Sequence, residues 1–240
     1  MTRPFKKAGF RQGVYQISST AKETLGTLRI LADGRKFRYA KAGATALSPG
    51  KMSVAADVAA AVLNKACPAT AVGETVLTLT TASATYAEDY FKGGAMHIND
   101  EAGEGHAYPI VGSSAVSAGT SIVVTLEEPI KVALTTSSEF TLVHSPWMAT
   151  VESTTEESLP VGIPPVDVTA AYYYWSQTGG PAIALYDGNN AIGSMLTLDA
   201  TAGALTAMNA TFDIDQPYVA IAWGTVGVST EYKPVFLKID

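Results

Sequence analysis

The stretch Thr75-Val-Leu-Thr-Leu-Thr80 alternates polar threonine with apolar residues and is rich in β-branched side chains. Short segments of related composition lie at 121–126, 130–134 and 139–143, each bounded by Gly, Ser, Pro or acidic residues. Because successive side chains of a strand point to opposite faces, a period of two is typical of half-buried strands. These segments predict a β module over residues 68–150.

A second β module is predicted over residues 151–240. The polar, acidic segment 153–158 and the proline-rich segment 159–166 are typical of an extended connection. Strand candidates follow at 170–176, 182–186, 193–198, 218–223 and 235–239. Gln177-Thr-Gly-Gly-Pro181 and Asp187-Gly-Asn-Asn190 are predicted turns, and the second is expected to close a hairpin because Gly and Asn adopt positive φ at low cost.

One central helix is predicted over residues 51–67. Pro49-Gly50 precedes the segment, and Cys67-Pro68 ends it. Val54, Val58 and Val62 recur at a spacing of four, which is the spacing of one helix face. The fold class expected is therefore mainly β, with one helix and two small sandwich-like or barrel-like modules.

The first 50 residues are predicted to form an extended basic docking arm. Residues 1–51 hold eleven of the sixteen Lys and Arg residues, opposed only by Glu23 and Asp33, so this segment carries +9 and the remaining 189 residues carry −15. Such asymmetry favours a basic segment that lies on an acidic surface. The residues expected to bind a partner are Arg3, Phe5, Lys6, Lys7, Phe10, Arg11, Arg29, Arg35, Lys36, Phe37, Arg38, Tyr39 and Lys41.

Two other interpretations of this basic segment stay open. Aromatic residues interleaved with cations are also found in RNA-binding segments, and a solvated, partly mobile terminus would need the lysines only for solubility. The apolar residues that recur between the charges favour the docked arm. With a net charge of −6 for the whole chain, nucleic acid is not expected as a partner.

Composition limits the remaining classes. Only 16% of the residues are charged, against about a quarter in typical globular domains, which suggests that neighbouring subunits cover much of the surface. The chain shows no signal segment and no run of about 18 apolar residues, so a soluble protein without a membrane partner is expected. A single cysteine, Cys67, excludes an intramolecular disulfide.

No catalytic residue, cofactor or metal is predicted. The candidate nucleophile Cys67 has no catalytic flanking pattern, and His97, His106 and His144 lie in strand-like settings typical of structural histidines. No nucleophile elbow, zinc-protease motif or phosphate-binding glycine loop occurs. The acidic segment 99–104 could hold calcium, but its spacing differs from that of an EF-hand, and a solvated hairpin turn is the favoured interpretation.

The aromatic cluster Tyr172-Tyr-Tyr-Trp175 has two interpretations. Aromatic residues that alternate along a strand are often shared between a core and a subunit interface. The candidate interface residues are Tyr172, Tyr174, Trp175 and Trp223. The alternative is that this cluster, with Trp147, Tyr186 and Trp223, forms a sugar-binding platform, which would make the protein a carbohydrate-binding module of a phage fibre or another surface appendage.

Two regions resemble the head decoration proteins, or cement proteins, of tailed bacteriophages, and a third resembles phage structural proteins more generally. The first is Leu25–Gly43 with Ala46–Met52, the second is Tyr173–Ala182 with Thr230–Ile239, and the third is Tyr90–Ile110. They are distributed from residue 25 to residue 239, and they consist of turn and strand patterns rather than a catalytic fingerprint.

The resemblance implies a structural role for the chain. Proteins of this family coat the outer surface of an assembled capsid, often as trimers, and stabilise it. It implies the major capsid protein as partner, a homotrimer, synthesis in the host cytoplasm and a final place in the virion. The protein is accordingly expected not to be an enzyme.

Overall fold

The computed structural model describes residues 9–208 and 216–240. The strands are β1 (Leu28–Ile30), β2 (Lys36–Lys41), β3 (Ser53–Val54), β4 (Lys65–Ala66), β5 (Val76–Tyr86), β6 (Ala95–Asp100), β7 (Ala107–Ser113), β8 (Val116–Leu126), β9 (Glu139–Val143), β10 (Val151–Glu152), β11 (Pro160–Gly162), β12 (Tyr173–Leu185), β13 (Met195–Leu198), β14 (Leu205–Ala207), β15 (Ala220–Ala222) and β16 (Tyr232–Lys238). A single 3-10 turn over Ala60–Val62 is the helical element of the described residues. The prediction of a mainly β chain is therefore confirmed.

The chain divides into two compact units. Unit 1 combines the described residues up to Ala56 with Pro146–Asp240, and unit 2 comprises Asp57–Ser145. The N-terminal segment thus belongs to the same unit as the C-terminal strands.

Unit 2 is built on a six-stranded antiparallel sheet in the order β4-β9-β6-β7-β8-β5. Its two end strands, β4 and β5, contact each other, so the sheet is nearly closed and barrel-like. In β5 the odd-numbered Leu77 and Leu79 are buried, while the even-numbered Thr78 and Thr80 are exposed. This alternation places the apolar row against Phe91, Ile122 and Phe140 in the barrel core.

Unit 1 contains a seven-stranded sheet in the order β1-β2-β12-β16-β15-β13-β14 and a three-stranded sheet in the order β10-β3-β11. The thirteen-residue β12 is central because it pairs with β2 on one side and β16 on the other. Its main core contains Met52 and Val54 from the β3 region with Leu196, Val235 and other residues of the larger sheet.

The predicted central helix over residues 51–67 is wrong. Ser53 and Val54 form the middle strand of the three-stranded sheet, and the Ala55 amide donates to Leu159 O at 2.9 Å. Val54 lies in the core of unit 1, whereas Val62 lies in the core of unit 2. Residues on one face of a helix pack against the same core, so the burial of Val54 and Val62 in different cores is incompatible with one helix. Pairing with distant strands overrides the weak helical preference of the alanines.

The extended docking arm also needs correction for residues 9–50. β1 and β2 are hydrogen-bonded strands of the seven-stranded sheet of the chain itself, with β2 paired along β12 from Tyr173↔Lys41 to Gly179↔Lys36. Phe37 and Tyr39 are 0% exposed. Both rings are already buried inside unit 1, so they have no exposed surface for a partner to cover.

Three smaller predictions were also wrong. Residues 130–134 form a connection with one isolated bridge, Thr70↔Leu134, rather than a strand. Gln177–Pro181 lies inside β12 rather than in a turn; its register with β2 shifts between Gln177 and Gly179, and Gly180 has φ of 83° and a Cβ atom there would lie 3.1 Å from Arg35 Cα. Asp187–Asn190 does not close a hairpin, because β12 pairs with β2 and β16 instead of β13.

The turn predicted over residues 99–104 is confirmed, because it connects the antiparallel pair β6 and β7. Within 9–208 and 216–240, no helix has the length and apolar character that crossing a membrane requires.

Candidate attachment surface

The aromatic residues of β2 are covered by the chain that precedes them. Trp175, Tyr39, Phe37 and Val14 form one buried cluster. The Trp175 indole Nε1 donates to Gln12 O at 3.1 Å, and the Tyr39 hydroxyl donates to Gln12 Oε1 at 2.7 Å. These hydrogen bonds satisfy buried polar atoms and hold the segment around Gln12 against the sheet.

Phe10 and Arg29 continue this cover toward the surface. The Phe10 ring lies edge-on to Trp175 with centroids 5.2 Å apart, and the Arg29 guanidinium stacks 4.7 Å from the Phe10 centroid. Arg29 Nη1 also donates to Gln12 O at 2.8 Å. A guanidinium held by a ring and a carbonyl is oriented by its own unit.

Arg38 forms a salt bridge with Asp240. Its Nε and Nη2 donate to the Asp240 carboxylate at 2.8 and 3.1 Å, and Lys36 Nζ donates to Asp240 O at 3.0 Å. The Arg38 hydrogen bond is the main reason that the pKa of Asp240 is lowered, outweighing partial burial. The sequence separates Arg38 from Asp240 by 202 positions, so this neutralisation could not be seen in the charge pattern.

Arg35 is similarly engaged, because its Nε donates to Asp33 Oδ2 and its Nη1 to the Tyr15 hydroxyl, both at 2.8 Å. Lys41 Nζ lies 5.3 Å from the centroid of the Tyr173 ring. Most of the cations expected to meet a partner therefore have contacts within unit 1. Arg11 is exposed. Arg3, Phe5, Lys6 and Lys7 lie outside the described residues, and binding of a capsid by any of these side chains stays a prediction.

The candidate attachment surface is the edge of β1 that faces away from β2. β1 is the end strand of the seven-stranded sheet and pairs only with β2 there. The Tyr39 amide donates to Thr27 O at 3.1 Å and the Leu31 amide donates to Arg35 O at 2.9 Å. Because hydrogen-bonded and non-hydrogen-bonded pairs alternate along an antiparallel ladder, the backbone groups of Leu28 and Ile30 are directed outward. Outside the pairing of β1 with β2, no backbone hydrogen bond from within 9–208 and 216–240 reaches those groups.

The side chains at this edge are also exposed. Leu28 is 39% exposed and Ile30 is 59% exposed, while Arg29 between them turns toward Phe10. The β1 edge, defined as the outward backbone groups and side chains of Leu28 and Ile30, therefore offers hydrogen-bonding groups and apolar side chains together. A free sheet edge of this kind is a template for pairing with another chain.

The predicted subunit-interface residues separate into two groups. Tyr174 and Trp175 are 0% exposed, so the prediction that they contact a neighbouring subunit is wrong, and a sugar platform on them is excluded for the same reason. Tyr172 is half-buried against the cluster of Ala40, Leu47 and Tyr174. Trp223 is 52% exposed, and its contact with a neighbouring subunit stays a prediction.

Trp223 belongs to an apolar surface that the sequence did not reveal. Met195 on β13 pairs with Ile221 on β15, and Ile221 pairs with Phe236 on β16. Met195 is 55% exposed and Phe236 is 39% exposed, whereas their strand neighbours Leu196, Val235 and Leu237 are buried. We call Met195, Ile221, Trp223 and Phe236 the outer face. The sequence signal that could have predicted the outer face is the alternation along β16, where every second residue lies on the exposed side of the strand and is mostly apolar.

The candidate catalytic residues do not form a reactive group. Burial is the main cause that raises the pKa of the Cys67 thiol to about 11, and only the thiolate is a nucleophile. His106 Nδ1 contacts Gly103 O, and His144 Nδ1 contacts Ser145 O, both at 2.9 Å. In the part of the chain that the structure describes, no group of three or more His, Cys, Asp or Glu side chains is placed to hold a metal ion.

Comparison of the chain with protein-family models, with curated proteins and with solved structures finds no match.

Proposed function

We propose that the chain is a non-enzymatic capsid decoration protein that binds the outer surface of a phage head through the β1 edge. The observation that carries the proposal is the set of outward backbone groups of Leu28 and Ile30 beside exposed apolar side chains. It is supported by the resemblance of two regions of the sequence to cement proteins of tailed phages and of a third region to phage structural proteins. The partner proposed is the major capsid protein, and the localisation proposed is the virion surface after synthesis in the host cytoplasm.

Attachment through this edge would rest on backbone hydrogen bonds and burial more than on charge. The two residues offer two amides and two carbonyls, and each net hydrogen bond contributes about 0.5–1.5 kcal/mol. Leu28 is 39% exposed and Ile30 is 59% exposed, so burying the exposed part of each side chain adds about 0.6–1.8 kcal/mol. Exposed ion pairs contribute only about 0–1 kcal/mol each and are screened beyond about 8 Å at physiological salt, so we expect salt to weaken capsid binding without abolishing it.

The outer face would serve self-association into a homotrimer. Contiguous exposed apolar patches are typical of protein interaction sites, and aromatic residues and methionine are enriched at such interfaces. The partner proposed for this face is a second copy of the chain, since proteins of the resembling family often assemble as trimers. Light scattering should give three times the 25.0 kDa chain mass, and Trp223→Asp should shift the particle toward the monomer. A monomeric wild type at micromolar concentration would refute this assignment.

A proline substitution tests the β1 edge. Ile30→Pro removes an outward amide that β2 does not use, and proline is tolerated at the open side of an edge strand. We expect the dissociation constant for genome-free heads of the encoding phage, measured by cosedimentation, to rise by about threefold to tenfold or more.

The matched control is Ile30→Val, which keeps the amide and a β-branched side chain. We expect it to bind heads as the wild type does. If Ile30→Pro folds and binds with unchanged affinity, the β1 edge is not the attachment site.

A further inference from the structure

A cleft in unit 1 has the size and chemistry of a small-ligand site. Its volume is about 500 Å³, within the range of about 300–1,000 Å³ that is usual for ligand pockets. It lies beside β12 and β16, and no function proposed above uses it. The lining comprises Tyr15, Arg35, Pro49, Gly50, Ile163, Pro164, Pro165, Gln177, Pro181, Ala182, Ile183 and Tyr232.

The walls of the cleft are fixed by the fold. Tyr232 pairs with Leu185 across β16 and β12, and the Leu185 amide donates to Gly50 O at 2.9 Å. Gly50 has φ of 76°, and a Cβ atom there would lie 2.8 Å from the Tyr232 ring. The tyrosine ring thus packs against a turn that only glycine accommodates, and four prolines with restricted backbones also line the cleft. A preformed site loses little conformational entropy on binding.

Two exposed aromatic rings border the cleft. Tyr15 is 58% exposed and Tyr232 is 43% exposed, and Ile183 near them is 54% exposed. These surfaces offer apolar contact to a flat ligand face while each tyrosine hydroxyl stays available for hydrogen bonding.

Donors and an acceptor meet in the same cleft. The Tyr15 hydroxyl accepts from Arg35 Nη1, which leaves its own O–H free to donate. Gln177 is 6% exposed, and its Nε2 donates to Gly179 O and Pro181 O, so both amide hydrogens are used. Gln177 Oε1 accepts no hydrogen bond from the described chain. Because it is not one of the solvent-inaccessible side-chain atoms that lack a partner, this oxygen is in contact with solvent.

We propose that this cleft binds a saccharide, with one sugar face on the tyrosine rings and hydroxyls paired with Gln177 Oε1 and the Arg35 guanidinium. A sugar presents an apolar C–H face and hydroxyls that both donate and accept. A proline-rich peptide carries carbonyl acceptors but no amide donor at proline, so it would leave Gln177 Oε1 without a partner. A simple anion is disfavoured because Asp33 already pairs with Arg35.

The test is saturation-transfer NMR on the full chain with glucose, galactose, mannose, rhamnose and N-acetylglucosamine, followed by titration of the sugar with the strongest signal. We expect at least one sugar to bind, Tyr232→Ala to raise its dissociation constant at least tenfold, and Tyr232→Phe to cause a smaller rise. Tyr218→Ala, an exposed tyrosine outside the cleft, should bind as the wild type does. If Tyr232→Ala does not fold, Tyr15→Ala replaces it with the same expectation.

Three results would overturn the proposal. One is that none of the five sugars gives a signal at millimolar concentration. Another is that a sugar binds equally well to the wild type and to the folded cleft variants. The third is that a proline-rich peptide such as decaproline binds the cleft and the sugars do not.

Discussion

Phe37→Ala removes a ring that is 0% exposed and packs with Val14, Tyr39 and Trp175. Truncation of a buried phenylalanine costs about 3–5 kcal/mol because transfer energy is lost and a cavity remains. Whole domains are stable by only about 5–15 kcal/mol. If Phe37 instead lay on an arm that waits for a partner, its removal would change the free energy of unfolding by less than about 0.5 kcal/mol.

Urea unfolding followed by tryptophan fluorescence measures this difference. Trp147, Trp175 and Trp223 all belong to unit 1, so the signal reports that unit without a tryptophan contribution from unit 2. With a slope of about 2 kcal/mol per molar urea, the unfolding midpoint should fall by about 2 M.

The matched control for this measurement is Ile30→Ala, which truncates a side chain that is 59% exposed. Its midpoint should stay close to that of the wild type. Equal midpoints for Phe37→Ala and the wild type would show that the N-terminal segment is not part of the folded unit.

Three further predictions concern the same contacts. Deleting residues 1–45 removes β1 and β2, so we expect unit 1 to lose its near-ultraviolet circular dichroism; a native spectrum would contradict the sheet order described. The pKa of Asp240 is lowered mainly by Arg38, so its stabilising effect is present above the ordinary value of 3.8 and is lost as the pH falls through the lower folded value. Thermal unfolding should therefore show a flatter acid dependence in Asp240→Asn, and an identical profile would remove this role. Because burial holds the pKa of Cys67 near 11, we expect Ellman's reagent at pH 8 to react with the thiol only after unfolding; fast reaction of the native protein would contradict its burial.

Local patterns were sufficient to predict much of the β structure. Thr75–Thr80 and Glu139–Val143 correspond closely to parts of β5 and to β9, because each alternates or concentrates β-branched and apolar side chains within one strand. Such a signal depends only on neighbouring residues.

Long-range pairing decided the features that the sequence did not reveal. The segment around Val54 has helical spacing, but hydrogen bonds to residues about 100 positions away make it a strand. Arg38 belongs to a basic segment in the sequence, yet its carboxylate partner is Asp240. A count of charges along the sequence cannot show that a distant carboxylate neutralises Arg38. The basic segment was therefore interpreted as a docking arm, although its described part is integral to unit 1.

The candidate site was likewise only partly predictable. The sequence indicated the region that contains Leu28 and Ile30, since it placed the attachment residues within the first 50 positions. It could not show that β1 ends a sheet, because this depends on β2 pairing with β12 across more than 130 positions. The exposure of Trp223 and the burial of Trp175 also follow from sheet order rather than from composition.

Electron cryo-microscopy of phage heads saturated with the protein tests the central claim most directly. We predict density in which a strand of the major capsid protein continues the seven-stranded sheet beside Leu28 and Ile30. Bound protein whose β1 edge faces solvent while another surface contacts the head would contradict the proposed attachment.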